Sequence, residues 1–480
     1  MNSRSLLQLW LLLALTSTVA TRSAFANSME LFGGSARAAS MGSAVSAWAD
    51  DYTALWHNPA GLALSQPHMA VGMALAFDQV GIRLKPRPAG YDLPDLGNDS
   101  ATVPTSKLLA GRSDTTGIPD SYDFRLGAVG SLGLDKLRFG VALSLPMTRL
   151  GMQRTRFADE REQYVSNRLD FELLGSRSQH QVILLGVGYP VLSWLSLGGG
   201  FSILPSGHAS SSVYLNDPVD QANARLAVDN EQVGRMAPHL GALVHGEKWR
   251  AGLAWRSASY FPMVLQNSIQ INGFQTDPDS FPIRQDVTLR MNYSPDQLAL
   301  GGAVWLGPTT VVAEAMWSRW SGYVDTQNEP AGFNDTLSLR AGLEHRADSD
   351  RRLRVGLQWE PSPVPEQTGR TNYVDNSRIV ATTGATHGLE LFGRALEVDW
   401  YVQVHHLLPR DTNKAQTSPA PACGADVTVV CDEIPDDTVN PTTGQKVAEY
   451  QGLQTGNPGF PGWTSWGDLL AVGVDMRWRF

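Results

Sequence analysis

Beyond residue 26 the sequence has no uninterrupted apolar run of the roughly 18 residues that a membrane-spanning helix needs. It is also poor in charge: 18% of its residues are charged, and the formal net charge is −9. Proteins that bind nucleic acid normally carry a basic patch, so this balance argues against that class. A Gly-x-Ser-x-Gly nucleophile motif is missing, and the glycines at 198–200 precede no helical pattern that could cradle a phosphate. These absences favour a protein that is not an enzyme and uses no cofactor.

Cysteine is scarce as well. Cys423 and Cys431 lie in one segment rich in proline, aspartate and threonine. In an oxidising compartment a local disulfide between them is favoured. A metal site is the weaker alternative, because no histidine or further cysteine lies nearby to complete a set of ligands. His405 and His406 cannot chelate one ion together, since neighbours in a strand point to opposite faces. We therefore expect a disulfide and no metal.

The N-terminal region has the composition of a secretory signal peptide. Arg4 precedes an apolar run, Leu6 to Leu15, and an Ala-Phe-Ala sequence at 24–26 supplies a cleavage site. An uncleaved anchor is the alternative, but the run is short of the ~20 residues that a span requires. We expect export and a mature chain that begins at Asn27. Such a chain is either periplasmic or secreted, or it spans an outer membrane as a closed barrel.

Alternation of apolar and polar residues recurs from residue 69 to the C-terminus. In the segment 467–480 the apolar face ends in Phe480, whereas Asp475, Arg477 and Arg479 lie on the opposite face. A strand that is apolar on one face and polar on the other is typical of a transmembrane β-barrel. With this segment the pattern predicts about 14 strands. The others are 69–84, 122–134, 137–149, 179–190, 193–205, 235–245, 248–260, 285–305, 309–321, 335–346, 353–360, 379–391 and 395–406.

The connections between these segments alternate in length. Tight turns stand at 135–136, 246–247, 307–308 and 393–394. Long connections stand at 85–121, 150–178, 206–234, 261–284, 322–334, 362–378 and 408–466. Outer-membrane barrels have short periplasmic turns and long outer loops. A soluble β-sandwich is the alternative, but it does not require this alternation. We therefore predict an all-β fold, an antiparallel outer-membrane barrel.

One block does not follow the strand pattern. Residues 27–68 are rich in alanine, glycine and serine, and Met41, Val45 and Trp48 are spaced as in short helices. The helical pattern ends at Asn58, because the residue before a proline avoids the α region. We expect this block to be a helical hatch inside the barrel. The predicted organisation is a signal peptide at 1–26, a hatch at 27–68 and a barrel at 69–480.

Several motifs give the mature chain a resemblance to the FadL family, the long-chain fatty-acid and hydrocarbon transporters of the Gram-negative outer membrane. They stand in the family's order along the sequence. They are Ala49-Asp50-Asp51, Asn58-Pro59-Ala60, Trp255-Arg256-Ser257, a tryptophan-rich strand at 314–321, Ser362-Pro363-Val364-Pro365 and Asp375-Asn376-Ser377-Arg378.

The resemblance implies a monomeric barrel of fourteen strands, set in outer-membrane lipid and lipopolysaccharide, with the hatch in its lumen. It implies passive uptake of hydrophobic molecules and no chemical reaction. The family route passes a pocket beside the hatch N-terminus, for which Met29, Leu31 and Phe32 are candidate linings. Leu204 and Pro205, at the outer end of the fifth strand, are further candidates. For each of them, simple packing is the alternative.

The family's lateral exit lies at the third strand, which here contains Leu145 and Pro146. Proline lacks the backbone donor of the ladder, so it should open or kink the wall; the alternative is that it caps a shortened strand. In the hatch, Asp50 and Asp51 suggest carboxylates paired with arginine in a polar lumen rather than a catalytic pair. Asn58 either bonds hatch backbone or is a turn residue before proline.

Two departures bear on the substrate. Where fatty-acid members of the family carry a lysine, this chain has Asn334, and the arginine expected after the fifth strand is replaced by serines at 210–212. Without those cations a carboxylate head group is costly to desolvate, which favours neutral or aromatic hydrocarbons. Two other functions stay open. One is a barrel hydrolase with serine and histidine on neighbouring strands, and the other is a non-transporting scaffold of a secretion machine.

Overall fold

A computed structural model describes most of the chain. The ranges are 28–85, 113–115, 121–131, 133–134, 136–147, 156–158, 168–170, 182–216, 223–271, 283–325, 329–368, 371–391, 393–415 and 459–480. Cys423 and Cys431 lie outside these residues, so their pairing stays a prediction. Within the described ranges, none of the helices has the length and apolar composition needed to cross a membrane.

Fourteen antiparallel strands form a closed barrel. Each pairs with its chain neighbours, and β1 pairs with both β2 and β14, which closes the sheet. The strands are β1 His68–Leu84, β2 Ser121–Gly130, β3 Arg138–Pro146, β4 Val182–Leu192, β5 Leu195–Leu204, β6 Arg235–His245, β7 Trp249–Arg256, β8 Asp296–Leu306, β9 Thr309–Arg319, β10 Thr336–Arg346, β11 Arg351–Glu360, β12 Arg378–Leu391, β13 Arg394–Asn413 and β14 Gly462–Arg479. The predicted fold class is confirmed.

The two faces of each strand differ as the sequence predicts. In β9, Thr310, Glu314 and Ser318 are buried inside, whereas Val311 and Trp317 are exposed outside. The alternation follows from the period of two along a strand, and it leaves an apolar belt around a polar interior. Closure matters because a sheet with open edges could not satisfy its backbone in lipid.

Four of the long connections contain strands of their own. In two of them, the strands Gly207–Asn216, Asn223–Gln232, Ser259–Ile271 and Ile283–Ser294 form a separate four-stranded sheet. The other two contain three short strands: Ser113–Thr115 pairs with β1, and Arg156–Ala158 pairs with Arg168–Asp170. The single strand predicted at 285–305 was therefore wrong. It is divided at Pro295, which cannot donate to a ladder.

The N-terminal segment, residues 28–65, consists of short helical turns packed against the inner wall of the barrel. Its helices are α1 Ser28–Phe32, α2 Ala36–Ala39 and α3 Ala54–His57, followed by a 3₁₀ turn, Pro59–Leu64. Ser35 caps α2 by accepting a hydrogen bond from the backbone N–H of Ala38 at 3.1 Å.

Glycines in the wall allow this segment to approach closely. A Cβ at Gly198 would lie 2.2 Å from the carbonyl carbon of Pro59, and one at Gly356 would lie 2.1 Å from the backbone nitrogen of Gly42. Any larger residue at either position would collide with the segment's backbone, so the close packing depends on glycine there.

Candidate functional site

A cavity of about 500 Å³, including its opening, lies between α1 and strands β8 to β12, near the end of the barrel that carries the long connections. Leu31, Met316 and Trp320 contribute apolar surface to it. The remaining lining is largely polar: Glu30, Gln297, Ser318, Thr336, Ser338, Arg340, Glu360, Asp375, Asn376 and Arg378, together with Pro361 and Pro363.

Both guanidinium groups of the cavity are engaged by carboxylates. Arg340 contacts Glu314 at 3.3 Å and Glu360 at 3.1 Å. Arg378 donates from its Nε to Glu360 at 2.7 Å and forms a second, very short contact with the same carboxylate. Glu360, the last residue of β11, therefore links the strands on either side of it, β10 through Arg340 and β12 through Arg378. Such bidentate contacts fix the direction of both arginine side chains.

Glu30 ties the start of the N-terminal segment to the wall. It accepts hydrogen bonds from Ser294 at 3.0 Å and from Gln297 at 2.6 Å. Gln297 in turn accepts from Arg256 at 3.1 Å, and Arg256 donates to the carbonyl of Trp56 at 2.7 Å. The guanidinium also lies 4.1 Å from the centre of the Trp56 ring. The arginine of the Trp-Arg-Ser motif thus holds two parts of the segment at once.

An aromatic cluster adjoins the cavity through Trp320. Tyr323 and Phe333 stack with ring centres 4.5 Å apart, and Tyr373 contacts Phe333 edge-on at 5.1 Å. Tyr293 joins the group at 6.0 Å from Trp320. Several of these residues lie in connections rather than strands, so period-two patterning gives no sign that they meet.

The predicted pocket residues lie in different places. Leu31 lines the cavity, whereas Met29 and Phe32 are buried against the wall. Phe32 contacts the ring of His405 edge-on at 5.7 Å. Leu204 is the last residue of β5, and the carbonyl of Pro205 accepts a hydrogen bond from Gln232 at 2.9 Å. Four of the five therefore lie outside this cavity, and a ligand role for them stays a prediction.

Asp50 and Asp51 form ion pairs at the other end of the barrel. Arg37 contacts Asp50 at 2.7 Å and Asp51 at 2.9 Å, and Arg477 of β14 contacts Asp51 at 3.0 Å. Burial alone would raise the pKa of Asp51, but the two arginines and a bond from Thr53 hold that pKa well below its usual value. Asp51 is therefore a charged anchor between segment and wall.

The wall carries further ion pairs around this anchor. Arg477 also contacts Glu397, and Arg354 contacts Asp399 at 2.9 Å and Glu344 at 2.7 Å. The guanidinium of Arg37 lies 3.9 Å from the centre of the Trp48 ring. The sequence predicts arginine partners for the aspartates but cannot name Arg477, which is distant in the chain.

Asn58 has both of the roles weighed for it. Its Oδ1 accepts from the backbone N–H of Ala60 at 3.1 Å, as expected of a turn residue before Pro59. Its Nδ2 donates to the carbonyls of Ser46 at 2.7 Å and Ala242 at 3.1 Å. One side chain thus shapes the 3₁₀ turn and ties it to a neighbouring turn and to β6.

Leu145 and Pro146 end strand β3. They lie opposite Phe124 and Asp123 of β2, whereas the pairing of β3 with β4 runs only to Ser144 within the described residues. The next residue, Met147, still donates to the carbonyl of Tyr122 in β2. Pro146 therefore stands where a shortened strand ends, as in the capping alternative, and pairing reaches further on the β2 side.

Metal binding and ester hydrolysis each need a particular grouping of side chains among the residues that the structure describes. These residues contain no group of three or more histidine, cysteine, aspartate or glutamate side chains placed to hold a metal ion. Ser196 Oγ and His245 Nε2 lie 3.4 Å apart on β5 and β6, the juxtaposition a hydrolase would need. Ser196 is fully buried.

No protein-family model matches the chain, and no curated protein matches it in sequence. Solved structures share its fold. A FadL homologue of Pseudomonas aeruginosa is 15% identical, with a TM-score of 0.52 over 95% of this chain and 98% of that one. A deltaS2 mutant of the TodX monoaromatic hydrocarbon channel is 14% identical, with a TM-score of 0.52 over 94% and 100%. The Ralstonia pickettii toluene transporter TbuX is 13% identical, with a TM-score of 0.50 over 94% and 100%. At these identities the similarity shows the fold.

Proposed function

We propose that this chain is a channel of the Gram-negative outer membrane that takes up small hydrophobic molecules passively. The observation that carries the proposal is a closed barrel, apolar outside, whose lumen is packed by its own N-terminal segment. The apolar belt suits lipid, and an even number of strands is usual for single-chain bacterial barrels. Residues 27–68 act as the hatch, held to the wall by the ion pair of Asp51 with Arg477 at one end and by the hydrogen bond of Glu30 with Gln297 at the other.

The substrate class follows from the cavity and from the proteins that share the fold. Those include a monoaromatic hydrocarbon channel and a toluene transporter. In this chain both cavity guanidiniums are paired with carboxylates, which leaves them poorly placed for a fatty-acid head group. We therefore favour as substrates neutral hydrocarbons and other hydrophobic molecules without a negative charge. In this proposal the protein catalyses no reaction.

The exit we propose is lateral, at Leu145 and Pro146, where the pairing of β3 ends. Lipid is the better destination for such a molecule, because each buried CH₂ contributes on the order of 0.8 kcal/mol. A disulfide between cysteines placed at 144 and 182, the last pair of β3 and β4 beside this exit among the described residues, should hold the two strands together there. Uptake by intact cells should then stop and return with reductant. Unchanged uptake in the verified cross-linked protein would instead favour passage through the hatch.

The proposed function is tested by native mass spectrometry of the protein purified from its own host membrane. We expect adducts of low mass that heat or organic solvent releases as apolar compounds. A double variant, Ser196→Ala with His245→Gln, should retain them, because these residues have no part in the proposed route. Adducts made only of detergent and phospholipid would contradict the proposal. Hydrolysed lipid, lost in the double variant, would favour a hydrolase, and a large co-purifying protein partner would favour a scaffold.

A further inference from the structure

The cavity carries more carboxylates than guanidinium groups. Glu30, Glu360 and Asp375 line it, against Arg340 and Arg378. Behind the lining, Glu314 contacts Arg340 and Arg256 donates to Gln297, so this layer adds one charge of each sign and leaves the excess unchanged. A concave site walled by protein focuses the field of such an excess, which attracts cations and repels anions.

The two guanidiniums do not offset this field toward a ligand. Arg340 is bound by carboxylates on two sides and is almost fully buried. Arg378 is bound by Glu360 and lies within electrostatic range of Asp375 and Glu30 as well. An anionic ligand would have to displace one of these carboxylates, and leaving a carboxylate buried without its cation is costly.

Trp320 adds a second feature that suits a cation. Its ring lines the cavity and is continuous with the aromatic cluster of Tyr293, Tyr323 and Phe333. Aromatic faces attract ammonium groups through their quadrupole, and tryptophan does so best. Leu31 and Met316 provide apolar surface beside the carboxylates. Carboxylates, an indole and aliphatic surface together match a hydrophobic molecule with a cationic nitrogen.

We propose that the cavity binds hydrophobic ammonium compounds, aryl- or alkylamines whose cationic nitrogen lies among Glu30, Glu360 and Asp375. This inference rests on the proposed function and narrows its substrate class. The charge of Glu30 is the one to test, because glutamine in its place keeps an oxygen that can accept from Gln297 and offers an NH₂ group from which the Ser294 hydroxyl can accept. Glu360 is a poorer choice, since its loss would leave two arginines unpaired.

The experiment is calorimetric titration of the purified full-length protein in nonionic detergent at pH 7, with blanks of empty micelles. The probes are 2-phenylethylammonium, ethylbenzene and 3-phenylpropanoate, which share one arene and differ in charge. We expect the ammonium compound to bind at least tenfold more tightly than the carboxylate. Glu30→Gln should weaken binding of the ammonium compound about tenfold, or ~1.4 kcal/mol. The affinity for ethylbenzene should stay within about twofold.

Glu329→Gln is the matched control, because this exposed residue lies outside the cavity and the substitution changes net charge equally. It should leave all three affinities unchanged. Equal or tighter binding of the carboxylate, or no effect of Glu30→Gln on the ammonium compound, would overturn the inference. If ethylbenzene binds and the ammonium compound does not, the inference fails and the proposed function stands. If none of the three binds, the proposed function itself is contradicted.

Discussion

Replacing Arg37 with methionine is expected to loosen the N-terminal segment inside the barrel and let small ions through. Arg37 joins α2 to Asp50 and Asp51 within the segment, and Asp51 is buried. Removing one partner of a buried ion pair typically costs about 3–5 kcal/mol, since the remaining charge is uncompensated. Arg477 and Arg250 still contact the aspartates, so we expect the lower part of that range.

Conductance across planar bilayers and protease cleavage within the segment would measure how far the segment is loosened. Wild-type protein should conduct little and resist cleavage. Arg351→Met is the control, because Arg351 is 66% exposed and pairs only with neighbouring Asp348 among the described residues. A variant lacking residues 27–64 sets the upper limit of the conductance. It should remain a heat-resistant barrel, because the strands pair with one another. Arg37→Met protein with wild-type conductance and cleavage would show that apolar packing and the contacts with the wall hold the segment without Arg37.

The same anchor has a defined pH dependence. Because the pKa of Asp51 lies below its unfolded value, its charge stabilises docking fully above about pH 5. This contribution is lost progressively as the pH falls toward the depressed folded pKa. In the conductance experiment, the wild-type barrel should therefore stay closed at pH 5 and begin to open only in stronger acid.

Replacing Val355 with arginine is expected to be the most damaging change on the outer surface. Val355 lies near the middle of β11, points outward and is 52% exposed. A charge at the bilayer midplane costs about 2–4 kcal/mol in such barrels, against about 0–1 kcal/mol near an interface. Leu391→Arg is the matched control, because Leu391 is also outward-facing but ends β12 beside a tight turn.

Urea unfolding from lipid vesicles would give both free energies. We expect the Val355 variant to lose several times more stability than the Leu391 variant. If the two variants lose equal free energy of unfolding, the exposed apolar face does not meet the interior of a bilayer. The same conclusion would follow if the difference between them were unchanged in buffer without lipid or detergent.

The barrel could be predicted because its signal is local. Period-two alternation and tight turns such as Gly307-Pro308 give the number of strands and the face of each residue. The four-stranded sheet could not be predicted in this way. In Gly207–Asn216 three consecutive serines, at 210–212, interrupt the alternation of apolar and polar residues; its pairing with Asn223–Gln232 depends on backbone hydrogen bonds.

The site was harder to predict than the fold, because it depends on contacts between distant residues. Arg477 contacts Asp51 only after β14 pairs with β1, and no short motif encodes the register of that pairing. The cavity is formed by α1 and residues of five strands. Apolar character predicts Leu31 as a lining residue, but it gives no reason to choose Glu30 beside it. The lining is largely polar, so a search for apolar residues could find only a small part of it.

The most direct test of the account is the rate at which intact Gram-negative cells take up two solutes, ethylbenzene and xylose, with and without this protein in their outer membrane. Lipopolysaccharide slows the entry of apolar solutes such as ethylbenzene, so a channel for them should raise their uptake visibly. We expect the protein to raise the rate of ethylbenzene uptake several-fold and to leave the rate of xylose uptake unchanged. No increase for ethylbenzene, or an equal increase for both solutes, would contradict it.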